Sequence, residues 1–277
     1  TQTICENSTA TINTATQNYG AASWIENGQG SITGGANSLT PTYTATAADA
    51  GKAVVLTMTI TSTNTCTPQT ATSTYTINVD ALPTATAGSI TTICEGTSTT
   101  INGSLTNGTP LWTSNGTGTL SGANTLTPNY TANNTDAGNT VTLTLTVSSN
   151  NTCSGATATA TSTIKVDPLP TATTTGTHTI CQNASYTLLN SEAAQTNGTA
   201  NWTHNGSGTL TNPTSLTPTY TANASDAGNT VTLTMTITSS NTCSPRTAKA
   251  TYIIHVDPVQ KTRRPGGQTL YESKTAS

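Results

Sequence analysis

Apolar side chains alternate with threonines through Val231–Thr238 (V-T-L-T-M-T-I-T). A period of two places the two kinds on opposite faces of a strand half-buried in a sheet. Asp226-Ala227-Gly228 just upstream reads as a turn, because Asp bonds nearby backbone N–H groups and Gly accepts positive φ. The unit is longer than this. Leu216–Cys243 matches Leu39–Cys66 and Leu126–Cys153, each with a tyrosine, a D-A-G and a closing N-T-C. Each copy is preceded by an opening segment with a cysteine: Thr3–Asn13, Thr92–Asn102 and Thr179–Leu189. These predict a short strand, a bend near the cysteine and a second strand. Between the two lies a tryptophan followed by Asn-Gly: Trp24–Ile32, Trp112–Leu120 and Trp202–Leu210. Asn-Gly between two β-prone runs predicts a hairpin, with the second Gly suited to a bulge. A last strand closes each copy at Ala71–Asp80, Ala160–Asp167 and Ala250–Asp257. The T-A-T runs after the first two predict the opening strand of the next copy.

The recurrence, at roughly 90 residues, is the size of a small β-sandwich and overrides length as a guide to domain number. The expected division is 1–80, 81–167 and 168–258 as three sandwiches, followed by a tail, 259–277. Pro-rich connectors this short are semi-rigid, so the expectation is an all-β, antiparallel rod of three domains. The chain of 277 residues has no Phe, so the core falls to Val, Ile, Leu, Tyr and one Trp per copy. Trp24, Trp112 and Trp202 are expected as core anchors. Charged residues make up 7% and net charge is −3, which gives no electrostatic basis for binding nucleic acid. No apolar run reaches membrane-spanning length. The sequence starts at Thr1, which is read as a mature or excised chain.

These residues resemble the PKD-like and immunoglobulin-like repeats of large bacterial cell-surface proteins. The shared pattern is T-I-C, then W with G-x-G, then T-P-x-Y-T, an Asp and V-x-L-T-x-T before a Cys. The resemblance covers Thr3–Asp257. It implies secreted, adhesin-like chains of the kind exported by type IX systems, with a structural or adhesive role at the bacterial surface. The D-A-G is similar to the corner before the penultimate strand of immunoglobulin domains. The Tyr and Cys of that strand are absent here; Val54, Val141 and Val231 follow instead. The buried inter-sheet disulfide of antibody domains therefore does not carry over.

Candidate chemistry is sparse. All six Asp fall at repeat-equivalent positions: Asp49, Asp136 and Asp226 at the corner, and Asp80, Asp167 and Asp257 at the end of the last strand. The corner set is expected to form turns. His178, His204 and His255 are not equivalent, and no metal or other cofactor is expected. Glu6 and Glu95 align with Gln182, which undercuts a shared catalytic acid. No phosphate loop or nucleophile elbow is present, so the chain is not expected to be an enzyme. Six cysteines, Cys5, Cys66, Cys94, Cys153, Cys181 and Cys243, suit disulfides and an oxidising, extracellular setting. The preferred pairing is within each copy: Cys5–Cys66, Cys94–Cys153 and Cys181–Cys243. Strict immunoglobulin topology would make Cys5–Cys153 and Cys94–Cys243 possible instead, leaving Cys66 and Cys181 for partners.

The tail holds Lys261, Arg263, Arg264 and Lys274, four of the eight basic residues. It either rests on its own third domain or donates a strand to a neighbouring subunit, at the place where repeat one lacks the L-P-T-A-T segment that opens the others. The partners expected are other copies or neighbouring repeats. Surface glycans and a spacer role in a larger secreted enzyme stand as alternatives.

Overall fold

The computed structural model describes residues 1–66, 68–89, 91–263 and 269–271. Among them there is no α-helix; strands are joined by turns and three one-turn 3-10 segments. Repeat one forms a four-stranded sheet in the order Gln2–Cys5, Thr70–Asp80, Ala53–Ser62, Gly20–Glu26. A three-stranded sheet, Thr9–Thr11, Thr42–Thr44, Ser31–Gly34, accompanies it. Repeat three has the same pair of sheets: Thr177–Cys181, Thr247–Asp257, Thr230–Ser239, Gly198–His204, with Ser185–Thr187, Thr219–Thr221, Thr209–Thr211. Repeat two follows the same strand orders. The fold is that of immunoglobulin-like β-sandwiches in tandem.

One pairing departs from the antiparallel expectation. In each repeat the opening strand runs parallel to the closing strand, as in Gln2↔Ile77 through Cys5↔Asp80. The long strand pairs antiparallel with the closing strand and with the tryptophan strand, with Trp24 opposite Met58 and Trp202 opposite Met235. The alternation read from the sequence holds: Val231, Leu233, Met235 and Ile237 are buried, and the threonines between them less so. In repeat one, Trp24, Tyr43, Leu56, Met58 and Ile77 form the core; in repeat three, Trp202, Tyr220, Leu233, Met235, Tyr252 and Ile254 do. Each such side chain contributes about 1.5–3 kcal/mol on burial, which lets Trp and Tyr stand in for the missing Phe.

The Asn-Gly segments do not make hairpins. The strands on either side of Asn27-Gly28 belong to different sheets. A two-residue type I′ turn needs positive φ at both central residues, and neither Asn27 nor Gly28 has it. Instead the Asn27 side chain accepts the Val55 N–H at 2.8 Å, Asn115 that of Thr142 at 2.7 Å and Asn205 that of Thr232 at 2.8 Å. The segment is a crossing from one sheet to the other, pinned to the long strand.

The chain divides into two compact units. One comprises Thr1–Ile90, Thr99–Tyr130 and Thr142–Thr163; the other comprises Thr91–Ser98, Thr131–Val141 and Ile164–Ser277.

Candidate functional site: the joints between successive repeats

The cysteines pair across repeats. Cys5 bonds Cys153 and Cys94 bonds Cys243, each with Cα atoms 4.8 Å apart. The preferred pairs Cys5–Cys66, Cys94–Cys153 and Cys181–Cys243 do not form, and Cys66 and Cys181 are free and exposed. The parallel opening strand explains why. It ends with its cysteine beside the last residue of the closing strand, Cys5 opposite Asp80 and Cys181 opposite Asp257. The N-T-C loop lies at the other end of that strand, where Gln69 N–H donates to the Cys66 carbonyl just before Thr70. A strand of 11 residues separates the two ends by roughly 30 Å or more. A disulfide needs Cα atoms within about 7 Å.

Each bond sits in a polar joint with the same parts. The Asp80 carboxylate accepts the Thr152 N–H at 3.0 Å and the Thr152 hydroxyl at 2.7 Å. The Asn151 amide donates to the Ala81 carbonyl at 2.9 Å. One repeat further on, Asp167 accepts from Thr242 N–H at 3.2 Å and its hydroxyl at 2.9 Å, and Asn241 donates to the Pro168 carbonyl at 2.9 Å. The Thr152 bonds hold the Asp80 carboxyl below its ordinary value. For Asp167, burial opposes ionisation, but the Thr242 bonds and Lys165, 3.6 Å away, outweigh it and its value also falls. The N-T-C loop is shaped from within: Asn151 Oδ1 accepts the Ser149 hydroxyl and the Cys153 N–H, and Asn241 does the same with Ser239 and Cys243. The end-of-strand aspartates were thus legible as repeated residues, but their role needed the parallel pairing that sets each beside a cysteine.

The corner aspartates are buried turn-formers with an added task. Asp49 Oδ2 accepts the Tyr43 hydroxyl at 2.8 Å and the Thr46 N–H at 3.0 Å, while Oδ1 accepts the Gln29 N–H at 2.7 Å. Asp226 repeats this with Tyr220, Asn223 and Ser207 at 2.7, 2.8 and 2.7 Å. Asp136 caps its own turn through the Asn133 N–H at 3.0 Å. Burial opposes the charge of Asp49 and Asp226, yet the converging donors hold both carboxyls below their usual value. Burial, with the carboxylate bond next, pushes Tyr43 and Tyr220 up to about 12. The glycines after Asn27 and Asn205 leave room for this phenol: a Cβ on Gly28 or Gly206 would lie 2.1 Å from the tyrosine oxygen. Trp24, Trp112 and Trp202 are 6%, 2% and 2% exposed and donate from Nε1 to the carbonyls of Ser38, Thr125 and Ser215.

No group of three or more His, Cys, Asp or Glu gathers among the described residues. His178 stacks on Tyr186 at 3.6 Å, His204 meets the Tyr220 ring edge-on at 5.2 Å, and His255 bonds Thr230. Glu192 is a hub. It accepts both the Tyr186 and Tyr252 hydroxyls and the Leu189 N–H. Burial opposes its charge and these donors lower its pKa.

Repeat one lacks a strand that the others have. In repeats two and three a connector strand, Thr84–Ala87 or Thr171–Thr174, pairs with Gly103–Thr106 or Ala193–Thr196. It covers the closing strand: the Thr174 hydroxyl bonds the Thr251 carbonyl, Ala172 packs on the core and Tyr252 is fully buried. In repeat one, residues 12–17 form no strand, and Tyr75 is only half-buried. A groove of about 230 Å³ opens there, lined by Ile12, Ala15, Trp24, Met58 and Tyr75 among others.

No family model matches the chain, and no curated protein matches it. Among solved structures it is similar to three immunoglobulin domains of titin, I67–I69, at 12% identity over 93% of this chain and 95% of that one, with a TM-score of 0.48. It is also similar to the three N-terminal domains of the bacteriophage RB49 outer capsid protein Hoc, at 11% identity over 93% and 96%, TM-score 0.41. The ectodomain of mouse nectin-like molecule 4 matches at 12% over 96% and 99%, TM-score 0.38.

Proposed function

We propose that the chain is a non-catalytic structural and adhesive module of an extracellular bacterial surface fibre, made of three immunoglobulin-like domains at 1–80, 81–167 and 168–258 and joined end to end by strand addition. The groove of repeat one carries the reading. Ile12, Ala15, Trp24, Met58 and Tyr75 line the seat that a connector strand takes in repeats two and three. A segment that follows the closing strand of another copy supplies a strand of the right kind. The two inter-repeat disulfides support an oxidising location. The repeat-equivalent acids turn inward to hold corners and joints, where they shape a scaffold. The buried tryptophans do not favour the glycan-binding alternative.

Of the expected donor tail, Lys261–Arg263 and Thr269–Tyr271 pair with each other. The rest of Lys261–Ser277, and the strand addition expected of it, lies outside the described residues. Truncation after Gln260, followed by electron microscopy of the assembled material, tests the reading. Fibres are expected to disappear. Unchanged fibres would rule out the tail as donor.

A further inference from the structure

We infer that the chain carries the two halves of a third covalent joint, one at each end, and that Cys181 of one copy bonds Cys66 of the next. Each of the two joints within the chain has an exit half and an entry half. The exit half is a cysteine beside a terminal aspartate: Cys5 with Asp80, and Cys94 with Asp167. The entry half is the N-T-C loop: Thr152 with Cys153, and Thr242 with Cys243. Repeat three presents an exit half in the same register, Cys181 opposite Asp257, with the Gln182 N–H on the Asp257 carbonyl at 2.9 Å as Glu6 is on Asp80 and Glu95 on Asp167. Repeat one presents an entry half, where Asn64 Oδ1 accepts the Ser62 hydroxyl at 2.7 Å and the Cys66 N–H at 2.9 Å, as in the other two loops.

Burial follows occupancy. Cys94, Cys153 and Cys243 are buried and Cys5 half-buried inside formed joints, whereas Cys66 and Cys181 are exposed. Asp167 is buried and Asp80 half-buried, whereas Asp257 is exposed. A lone exposed cysteine would say little. Here the complementary aspartate and the preshaped loop accompany it, and the same set closes twice within the chain. A second copy is the occupant whose surface carries the matching half. The covalent step requires a disulfide oxidant such as glutathione disulfide. The Cys181 thiolate attacks it and releases one glutathione thiolate. The Cys66 thiolate of the next copy then attacks the mixed disulfide at the Cys181 sulfur and releases the second. Two cysteine thiols become one disulfide, and glutathione disulfide becomes two thiols, which take up the two protons lost.

The inference rests on the end-to-end reading above but concerns the bond rather than the donated strand. The test uses full-length chains with both internal disulfides intact, exposed to glutathione disulfide. Wild type is expected to give a covalent ladder on a non-reducing gel, with Cys66–Cys181 as the linked peptide. Cys66→Ser and Cys181→Ser chains are each expected to stay monomeric alone and to give dimers when mixed. Asp257→Ala is expected to slow linkage at least fivefold while Cys181 labels with a small maleimide at an unchanged rate. Like-with-like links in a single variant, monomers throughout, or an Asp257→Ala rate equal to wild type would overturn it. Fibres that persist in Cys66→Ser but dissolve on tail truncation would retain the end-to-end reading while removing the covalent lock.

Discussion

Tyr43 and Asp49, and their counterparts Tyr220 and Asp226, show how one buried carboxylate organises a corner. The phenol and two backbone N–H groups converge on the acid. Tyr220→Phe leaves the packing but removes the charge-assisted bond to Asp226 and the acceptor of the Gly208 N–H, so a loss of about 1–3 kcal/mol is expected in urea unfolding. Asp226→Asn sets an amide N–H₂ against donors, and a loss of about 2–3 kcal/mol is expected in the same measurement. The depressed values of Asp49, Asp80, Asp167 and Asp226 set the direction of the pH response. A carboxyl lower in the folded state contributes fully above its unfolded value, about 4, and that contribution fades as pH falls through the folded value. Thermal melts are expected to be flat between about pH 5 and 9, to drop steadily below about 4, and to drop again above about 10, where unfolded tyrosines ionise while buried Tyr43 and Tyr220 stay protonated. Much of this was legible: the Asp, the positive-φ Gly51, Gly138 and Gly228, and the inward Tyr and Trp. Asn-Gly misled because an Asn side chain that caps another strand looks, in sequence, like a turn residue.

At the level of strands, sequence periodicity located the long and closing strands to within a few residues, and the T-A-T runs did become strands. Strand direction was not legible. Nothing in T-I-C says whether it lies parallel or antiparallel to its neighbour, since alternation is the same either way. That one choice decides which end of the sandwich each cysteine occupies, and hence the disulfides. Non-reducing peptide mapping is expected to recover Cys5–Cys153 and Cys94–Cys243. Replacing Cys94 and Cys243 together by Ser is expected to lower stability by about 2–4 kcal/mol. The crossing segment is equally confined: a Cβ on Gly208 would lie 2.1 Å from the Thr221 carbonyl. Gly208→Ala is expected to cost about 1–3 kcal/mol in chemical denaturation, because the clash is with backbone that cannot step aside.

For the molecule as a whole, the threefold repeat was plain in the sequence, and so was the absence of the connector segment before repeat one. The groove that this absence leaves was not, because a cavity depends on what neighbours fail to cover. The same holds for the joints, whose parts lie some 70 residues apart in the chain. The two crosslinks also interleave: Cys94 lies within the stretch closed by Cys5–Cys153, and Cys153 within that closed by Cys94–Cys243. Under tension applied at both termini, load would leave the backbone at Cys5, re-enter at Cys153, run back to Cys94 and cross again to Cys243. Most of repeats one and three would hang beside the loaded path as slack. Even with every strand torn loose, the oxidised chain is expected to lengthen to only about a third of the reduced chain's extended length at about 3.3–3.6 Å per residue. Single-molecule stretching with and without reductant measures that ratio, and equal lengths would contradict it. A thread built this way stops yielding early and holds.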